Sequence, residues 1–402
     1  MIHRTITLDA APDLNHVCAG DGVLFVRDGV GVAGRGIAAE CAADEAPGLL
    51  SAIEGDSPSV GGPVMLGLVP FLPGSAARFV LPRFTVMKHP DGSATATLVG
   101  HSDADVDDAA FDRSLEVAQL TGPPRPSSNS FRVGALTPVE SYLSAVAAAR
   151  DEVRSGRISK AVIARDIEIA ADDPIDVHAV LLRLRASFGS TYRYMVGDMI
   201  GASPELLVSV AGRTVRSHPL AGTAPRTGDP STDARLASEL VASTKDQIEH
   251  RVVIDMVRDT LLPHCSYLDW EAEPSIVTVA NVQHLGTEIE GALSEPAPHV
   301  LELVRALCPT PALGGHPSAD AIDLIGRVEH SERGWYGGAV GWIDASGQGT
   351  FAVTIRCAEL SADRRRARLF AGGGIVAASD PHAELAETQA KFQAMLSAIV
   401  RP

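Results

Sequence analysis

The sequence predicts an α+β fold, and two observations carry that expectation. Segments of strand character do not alternate regularly with segments of helical period, and the phosphate-binding G-x-x-x-x-G-K-[ST] pattern is absent. The 402-residue length, with 45% apolar and 21% charged residues, suits a soluble chain that can bury a large core.

Residues 1–120 carry short apolar runs, such as 23–26 and 64–72, punctuated by Gly and Pro in the manner of strands and turns. The stretch 121–130, TGPPRPSSNS, has no apolar period and reads as an exposed connection. It divides an N-terminal subdomain, 1–130, from the remainder, 131–402. Thr137, Pro138 and Glu140 then supply a cap, a first-turn proline and an acid three residues after the cap, the pattern of a capping box. A helix is predicted from there to Ser155, with Gly156 free to take the left-handed conformation that ends it. The β-branched Val162, Ile163, Ile167 and Ile169 favour a strand over 158–169. Further strands are predicted at 194–200, 206–210, 338–343, 350–355 and 367–371, and further helices at 177–188, 233–262, 298–306 and 381–400.

Lys and Arg number 34 against 50 Asp and Glu, a formal charge of −16 that repels nucleic-acid backbones and anionic lipid. No run reaches the roughly 18 apolar residues of a spanning helix. Residues 1–13 have neither the apolar core of a signal peptide nor an Arg-rich amphipathic pattern. A cytoplasmic protein without nucleic-acid or membrane partners is expected. A small anion can still bind where basic side chains, backbone N–H groups or a metal ion reverse the field locally. The five cysteines are scattered with no C-x-x-C pair, so neither a zinc site nor a disulfide framework is predicted.

Three clusters are candidates for chemistry. In GGGIVAASDPHAELAETQAK, 372–391, Asp380 and Pro381 fit the N-cap and N1 positions of a helix. At ~100° per residue, Glu384, Glu387 and Lys391 share an arc of about 60°, apart from Leu385, Phe392, Leu396 and Ile399. A solvated face with an ordinary i,i+4 ion pair would use the same residues. The triple glycine points the other way, because it weakens a strand unless something must approach the backbone closely. In KDQIEH, 245–250, Asp246 and Glu249 fit a cap and its N3 acid. Alternatively Glu249 joins Glu384 or Glu387 on one Mg2+, which takes oxygen ligands. The third cluster is Lys160, in ISKAVIAR, with Glu205, in ASPELLVS. A lysine desolvated on an apolar strand can serve as a base, and a glutamic acid in an apolar pocket can stay protonated as an acid. Surface placement of either is the plainer alternative.

Nine stretches, in this order, resemble the chorismate-utilising enzymes, which include isochorismate, salicylate, anthranilate and aminodeoxychorismate synthases. They are SKAVIAR, SPELL, HPLAGTAPR, KDQIEH, NVQHLGT, PTPALGGHP, RGWYGGAVGW, FAVTIRCAEL and the 372–391 segment, and they span about 137–400. The resemblance implies one large domain of two layers, antiparallel sheets packed together with helices outside, holding chorismate and Mg2+ between them. It implies Glu249 and Glu387 as metal ligands, Glu384 assisting through water, Lys160 as base and Glu205 as acid. Arg356, Lys391 and backbone groups at Gly372 and Gly374 would hold the substrate carboxylates. Ala221, Gly222, Thr223, His284, Ala312, Leu313 and Tyr336 would surround the ring. Ala221 stands where aminodeoxychorismate synthases carry a lysine nucleophile, which disfavours that branch. PTPALGGHP is similar to isochorismate synthases, especially those feeding dihydroxybenzoate siderophores, and unlike the S-G-A-P-K of anthranilate synthases. The expected reaction converts chorismate to isochorismate and needs no glutaminase subunit. A salicylate synthase, which goes on to eliminate pyruvate, and a non-catalytic chorismate-binding regulator are the alternatives.

Overall fold

In the computed structural model, which describes residues 1–57, 61–120, 122, 129–279 and 281–401, antiparallel ladders join strands from both ends of the chain, and helices pack outside them. Residues 121 and 123–128 of the Pro- and Ser-rich connection lie outside the described residues. One run of strands begins at Phe131–Ala135 and passes through Lys160–Ala171, Arg366–Ile375, Cys357–Leu360, Met199–Ser203 and Tyr192–Val196 to Val23–Arg27. It ends on two long strands, Val30–Ala42 and Arg78–Lys88. From these a second run continues through Val64–Val69, Ala339–Asp344, Gly349–Val353, Leu206–Ala211, Thr214–His218 and Ile289–Leu293 to Cys265–Trp270.

The long strands belong to both runs. Near Gly31 and Gly34 they meet Val23–Arg27, whereas Phe79 and Val80 meet Val64–Val69. Their mutual register shifts between Ile37 and Ala39, and Gly36 there has φ +68°, so the chain turns the corner between sheets at a bulge. Side chains from both runs share one core, with Phe25 and Tyr194 of the first packed with Leu66, Val208 and Phe351 of the second. On another face, Leu24, Val86, Ile169 and Leu369 are covered by Leu181 and Leu184 of the helix Val177–Phe188 and by Phe392 and Met395 of the helix Pro381–Val400. A small sheet of Leu220–Pro225, Val282–Gly286 and Ser275–Thr278 stands apart and carries two further helices, Pro230–Ala242 and Thr244–Leu261. Among the described residues no helix is long and apolar enough to cross a membrane.

Several local expectations are corrected. Thr137 caps no helix: its hydroxyl donates to the buried Asp166 carboxylate, and Pro138 takes the cap position of Val139–Arg154 without a side-chain bond. The predicted strand 194–200 is a hairpin, Tyr192–Val196 with Met199–Ser203, turned at Gly197 with φ +60°. The predicted helix 233–262 is two helices, because Ser243 adopts ψ 111° and its Oγ accepts from Asp246 N at 3.3 Å. The Ser243 side chain competes there with the helical ladder, so Ser243, and not Asp246, is the cap before Glu249. The strand predicted to stop at Ala371 runs on through all three glycines to Ile375. As predicted, Gly156 takes φ +78° after its helix, and Asp380 caps Pro381–Val400 by accepting from His382 N and Ala383 N.

Candidate active site

The pairing of Lys160–Ala171 with Arg366–Ile375 sets the floor of the site. Ala161 lies opposite Ile375, Val162 opposite Gly374 and Ala164 opposite Gly372, so Lys160 emerges beside the glycines. A Cβ on Gly374 would lie 2.1 Å from Glu249 Oε1 and 2.9 Å from Lys160 Cε. One on Gly373 would lie 2.5 Å from Glu384 Oε2, and one on Gly372 3.0 Å from the Tyr336 hydroxyl. The glycines are therefore spaces for carboxylates and a phenol, the close approach that the sequence suggested.

The cleft above this floor is narrow, about 60 Å³. Glu205, Ala221, Gly222, Thr223 and His284 line one side. Ala312, Leu313 and Tyr336 line another, and Glu249, Arg356, Gly372, Gly374 and Lys391 complete the wall. Lys160, Glu384 and Glu387 stand just behind it. Lys160 Nζ is 3.0 Å from Glu249 Oε1, Lys391 Nζ is 2.6 Å from Glu387 Oε1, and Glu384 reaches Gly373. Surface placement of the acid and base is excluded, since Lys160 is 0% and Glu205 2% exposed. A larger cavity, about 1170 Å³, includes Phe25, Tyr192 and Trp342 in its lining and shares no residue with this cleft.

Two loops are fixed by buried polar contacts. Arg333 donates to Leu313 O and Val162 O, each at 2.7 Å, and pairs with buried Glu329, whose Oε1 also accepts from Ala164 N. Tyr336 stacks on Phe370 with ring centroids 5.1 Å apart. Arg356 sits at φ +51°, a conformation costly for a non-glycine residue and held here by its surroundings. Its Nη2 meets His284 Nε2 at 2.9 Å. Because a guanidinium only donates, Nε2 accepts, which leaves the proton on Nδ1 to donate to Gly222 O at 3.1 Å. Burial, and then the Arg356 charge, hold His284 far below the usual histidine range, so it is neutral.

Burial pushes the Glu205 carboxyl up to about 7, against the opposing pull of the Leu220 N–H and of Lys160, Arg356 and Lys391. Burial would also raise Glu249, but the adjoining Lys160 ammonium holds it below its ordinary value. Glu384 is pushed up to about 6 by burial and by Glu387, with Lys245 opposing.

The donor set suits a hard divalent cation, since Glu249 and Glu384, from two helices, both lie against glycine backbone, Glu387 follows Glu384 by three residues on the same helix, and Glu384 Oε2 is buried without a well-formed hydrogen bond among the described residues. As they stand, however, no three Asp, Glu, His or Cys side chains among the described residues are gathered closely enough to hold an ion. Each carboxylate instead carries a lysine: Lys160 on Glu249, Lys391 on Glu387 and Lys245 on Glu384 at 3.2 Å. Lys245 and a site-facing Asp246 are the residues that the sequence reading missed. Asp246 Cβ lies 3.1 Å from where a Cβ on Gly222 would stand, and burial raises its carboxyl. Both belong to KDQIEH, but Glu384, which Lys245 meets, and Gly222, which Asp246 faces, lie elsewhere in the chain.

The sequence pattern of the family described as chorismate binding enzyme matches residues 53–400. The isochorismate synthase DhbC of Bacillus subtilis is 37% identical over 348 residues, covering 84% of this chain and 81% of that one. The crystal structure of DhbC from Bacillus anthracis superposes with a TM-score of 0.80 at 30% identity, over 96% of this chain and 98% of its own. The menaquinone-specific isochorismate synthase MenF of Escherichia coli shares the fold, with a TM-score of 0.82 at 24% identity over 99% and 94% of the two chains. With the family pattern covering most of its length, this chain belongs to the chorismate binding enzymes.

Proposed function

We propose that the chain is an isochorismate synthase, using Mg2+ to convert chorismate to isochorismate with Lys160 as base and Glu205 as acid. The observation that carries this reading is the pairing, at one cleft, of a fully buried lysine with a buried carboxyl that is half protonated at neutral pH. The relatives named isochorismate synthase support the same reaction.

Arg356 and Lys391 meet the substrate carboxylates, and the backbone at Gly372 and Gly374 lets them approach closely. Neutral His284, fixed between Arg356 and Gly222, shapes the wall beside the ring and holds the guanidinium in place. Lys160, once its own proton has passed to solvent, takes a proton from the water that attacks C2, and Glu205 gives a proton to the C4 hydroxyl as it leaves. One water enters and one departs, so the atoms balance. Glu249 and Glu387 would hold Mg2+, with Glu384 assisting; when bound, the ion neutralises and orients the ring carboxylate.

The test is incubation with chorismate with and without EDTA, restoring Mg2+ in a third arm, followed by chromatographic identification of products. Isochorismate without pyruvate, lost on chelation and regained with Mg2+, is expected. Salicylate with pyruvate would reassign the chain as a salicylate synthase, and full turnover in EDTA would remove the metal from the mechanism.

A further inference from the structure

We infer that Lys245 is a resident cation of the metal site: its ammonium holds Glu384 while no metal is bound and must leave that carboxylate before a divalent ion can settle, so Lys245 sets the metal affinity. The inference rests on the metal-dependent reading above.

Three observations carry it. The first is the matched set of ion pairs. Glu249, Glu384 and Glu387 each meet one lysine, at 3.0, 3.2 and 2.6 Å, so the carboxylate cluster is balanced charge for charge. Opposed carboxylates repel, and three ammonium groups offset that repulsion; as they stand, no three such side chains among the described residues are gathered closely enough to share an ion. The second is the placement of Lys245. Lys391 lines the cleft and Lys160 stands against Gly374, where both serve the substrate or its chemistry. Lys245 does neither. It lies one turn before Glu249 and reaches from its own helix to the C-terminal helix, spending its charge on Glu384. The third is the state of Glu384 itself. Its side chain is 2% exposed, Oε1 accepts from Lys245, and Oε2 makes no well-formed hydrogen bond among the described residues, the Ser379 side chain being a second donor beside the carboxyl. A Cβ on Gly373 would stand 2.5 Å from that oxygen, so the backbone leaves room beside it. A buried carboxylate with one oxygen on a removable cation and the other without a well-formed hydrogen bond is arranged to exchange one cation for another.

Lys245 is about one third exposed, so its head can swing to solvent when displaced. The exchange subtracts the lost ion pair from the gain of metal binding. The free enzyme therefore binds the ion weakly and waits for the substrate to supply further oxygen ligands.

The test is calorimetric titration of Mg2+, and separately Mn2+, into the wild-type protein, Lys245→Met and Lys245→Arg at pH 8 without chorismate. Lys245→Met is expected to bind about tenfold more tightly than wild type, the effect of removing one opposite charge near a carboxylate. Lys245→Arg, which restores a cation, should stay within about twofold of wild type. In a Glu384→Gln background the Lys245→Met gain should vanish, because the contested carboxylate is gone. Circular dichroism and the metal-free melting temperature establish that each variant folds. Unchanged or weaker binding by folded Lys245→Met overturns the inference while leaving the metal reading intact. Failure of Lys245→Met to bind any divalent ion also overturns the inference, whereas the metal reading falls separately, on full turnover of chorismate in EDTA.

Discussion

Glu205 is 2% exposed and faces three cationic side chains, yet its carboxyl is pushed up to about 7, because burial outweighs the attraction. The folded state then holds the proton more tightly than the unfolded chain, whose carboxyl titrates near 4.5. The stability associated with that proton is fully present below about 4.5 and is lost as pH rises through about 7. Glu205→Gln, which cannot ionise, should therefore be more stable than wild type by about 3 kcal/mol at pH 8 and no more stable at pH 4. Urea unfolding at the two pH values measures it; an equal effect at both would show that the wild-type carboxyl is not destabilised by burial. The same substitution should leave chorismate binding measurable while cutting turnover by roughly 10² or more. Wild-type turnover should fall above pH about 7 as the acid is lost, and the alkaline limb should be missing from the residual activity of Glu205→Gln. Lys160→Ala should lose turnover by a similar roughly 10² factor, and near-normal rates would remove Lys160 from the chemistry.

At the scale of an element, the glycine-bearing strand Arg366–Ile375 gives the sharpest separation of folding from function. The nearest atoms that a methyl on Gly374 would meet belong to the ends of two side chains, Glu249 and Lys160, and Gly374 has no positive φ to strain. Gly374→Ala should therefore unfold within about 1 kcal/mol of wild type, yet lose about 10² in turnover, because acid and amine are pushed off their positions. A large stability loss with normal residual kinetics would show that the glycine serves the strand and not the site. This element also shows what the sequence could reveal. The triple glycine, the Asp380–Pro381 start and the shared arc of Glu384, Glu387 and Lys391 are local patterns, and each has a local physical cause visible in the chain. The break at Ser243 was hidden, because the helical period continues through it and only a side chain competing for Asp246 N ends the ladder. Thr137 was misread for the opposite reason: a strong local cap signal lost to a buried partner, Asp166, 29 residues away. Lys245 was beyond reach on the same ground, since nothing near it in sequence shows that Glu384, 139 residues on, lacks a counter-ion.

Across the whole molecule, Arg333 links regions that the sequence reading kept apart. Its guanidinium lies 4.2 Å from the Phe71 ring, donates to Leu313 and Val162 carbonyls on two sides of the cleft, and neutralises Glu329 at the end of the helix Ser318–Val328. The division drawn near residue 130 could not anticipate a contact from Phe71 to the cleft wall, because composition marks connections in the chain and not pairings in space. Arg333 and Glu329 are 3% and 5% exposed in their side chains, so removing one partner strands the other away from water. Arg333→Met should cost about 3–5 kcal/mol in urea unfolding. Arg333→Met with Glu329→Gln should recover part of that loss, since the amide can still accept from Ala164 N without carrying a charge. Recovery should be incomplete, because the Leu313 and Val162 carbonyls remain without their donor. Equal losses in the single and double variants would place the whole cost in those two carbonyls, and the ion pair would then contribute through its hydrogen bonds to the cleft wall and not through its charge.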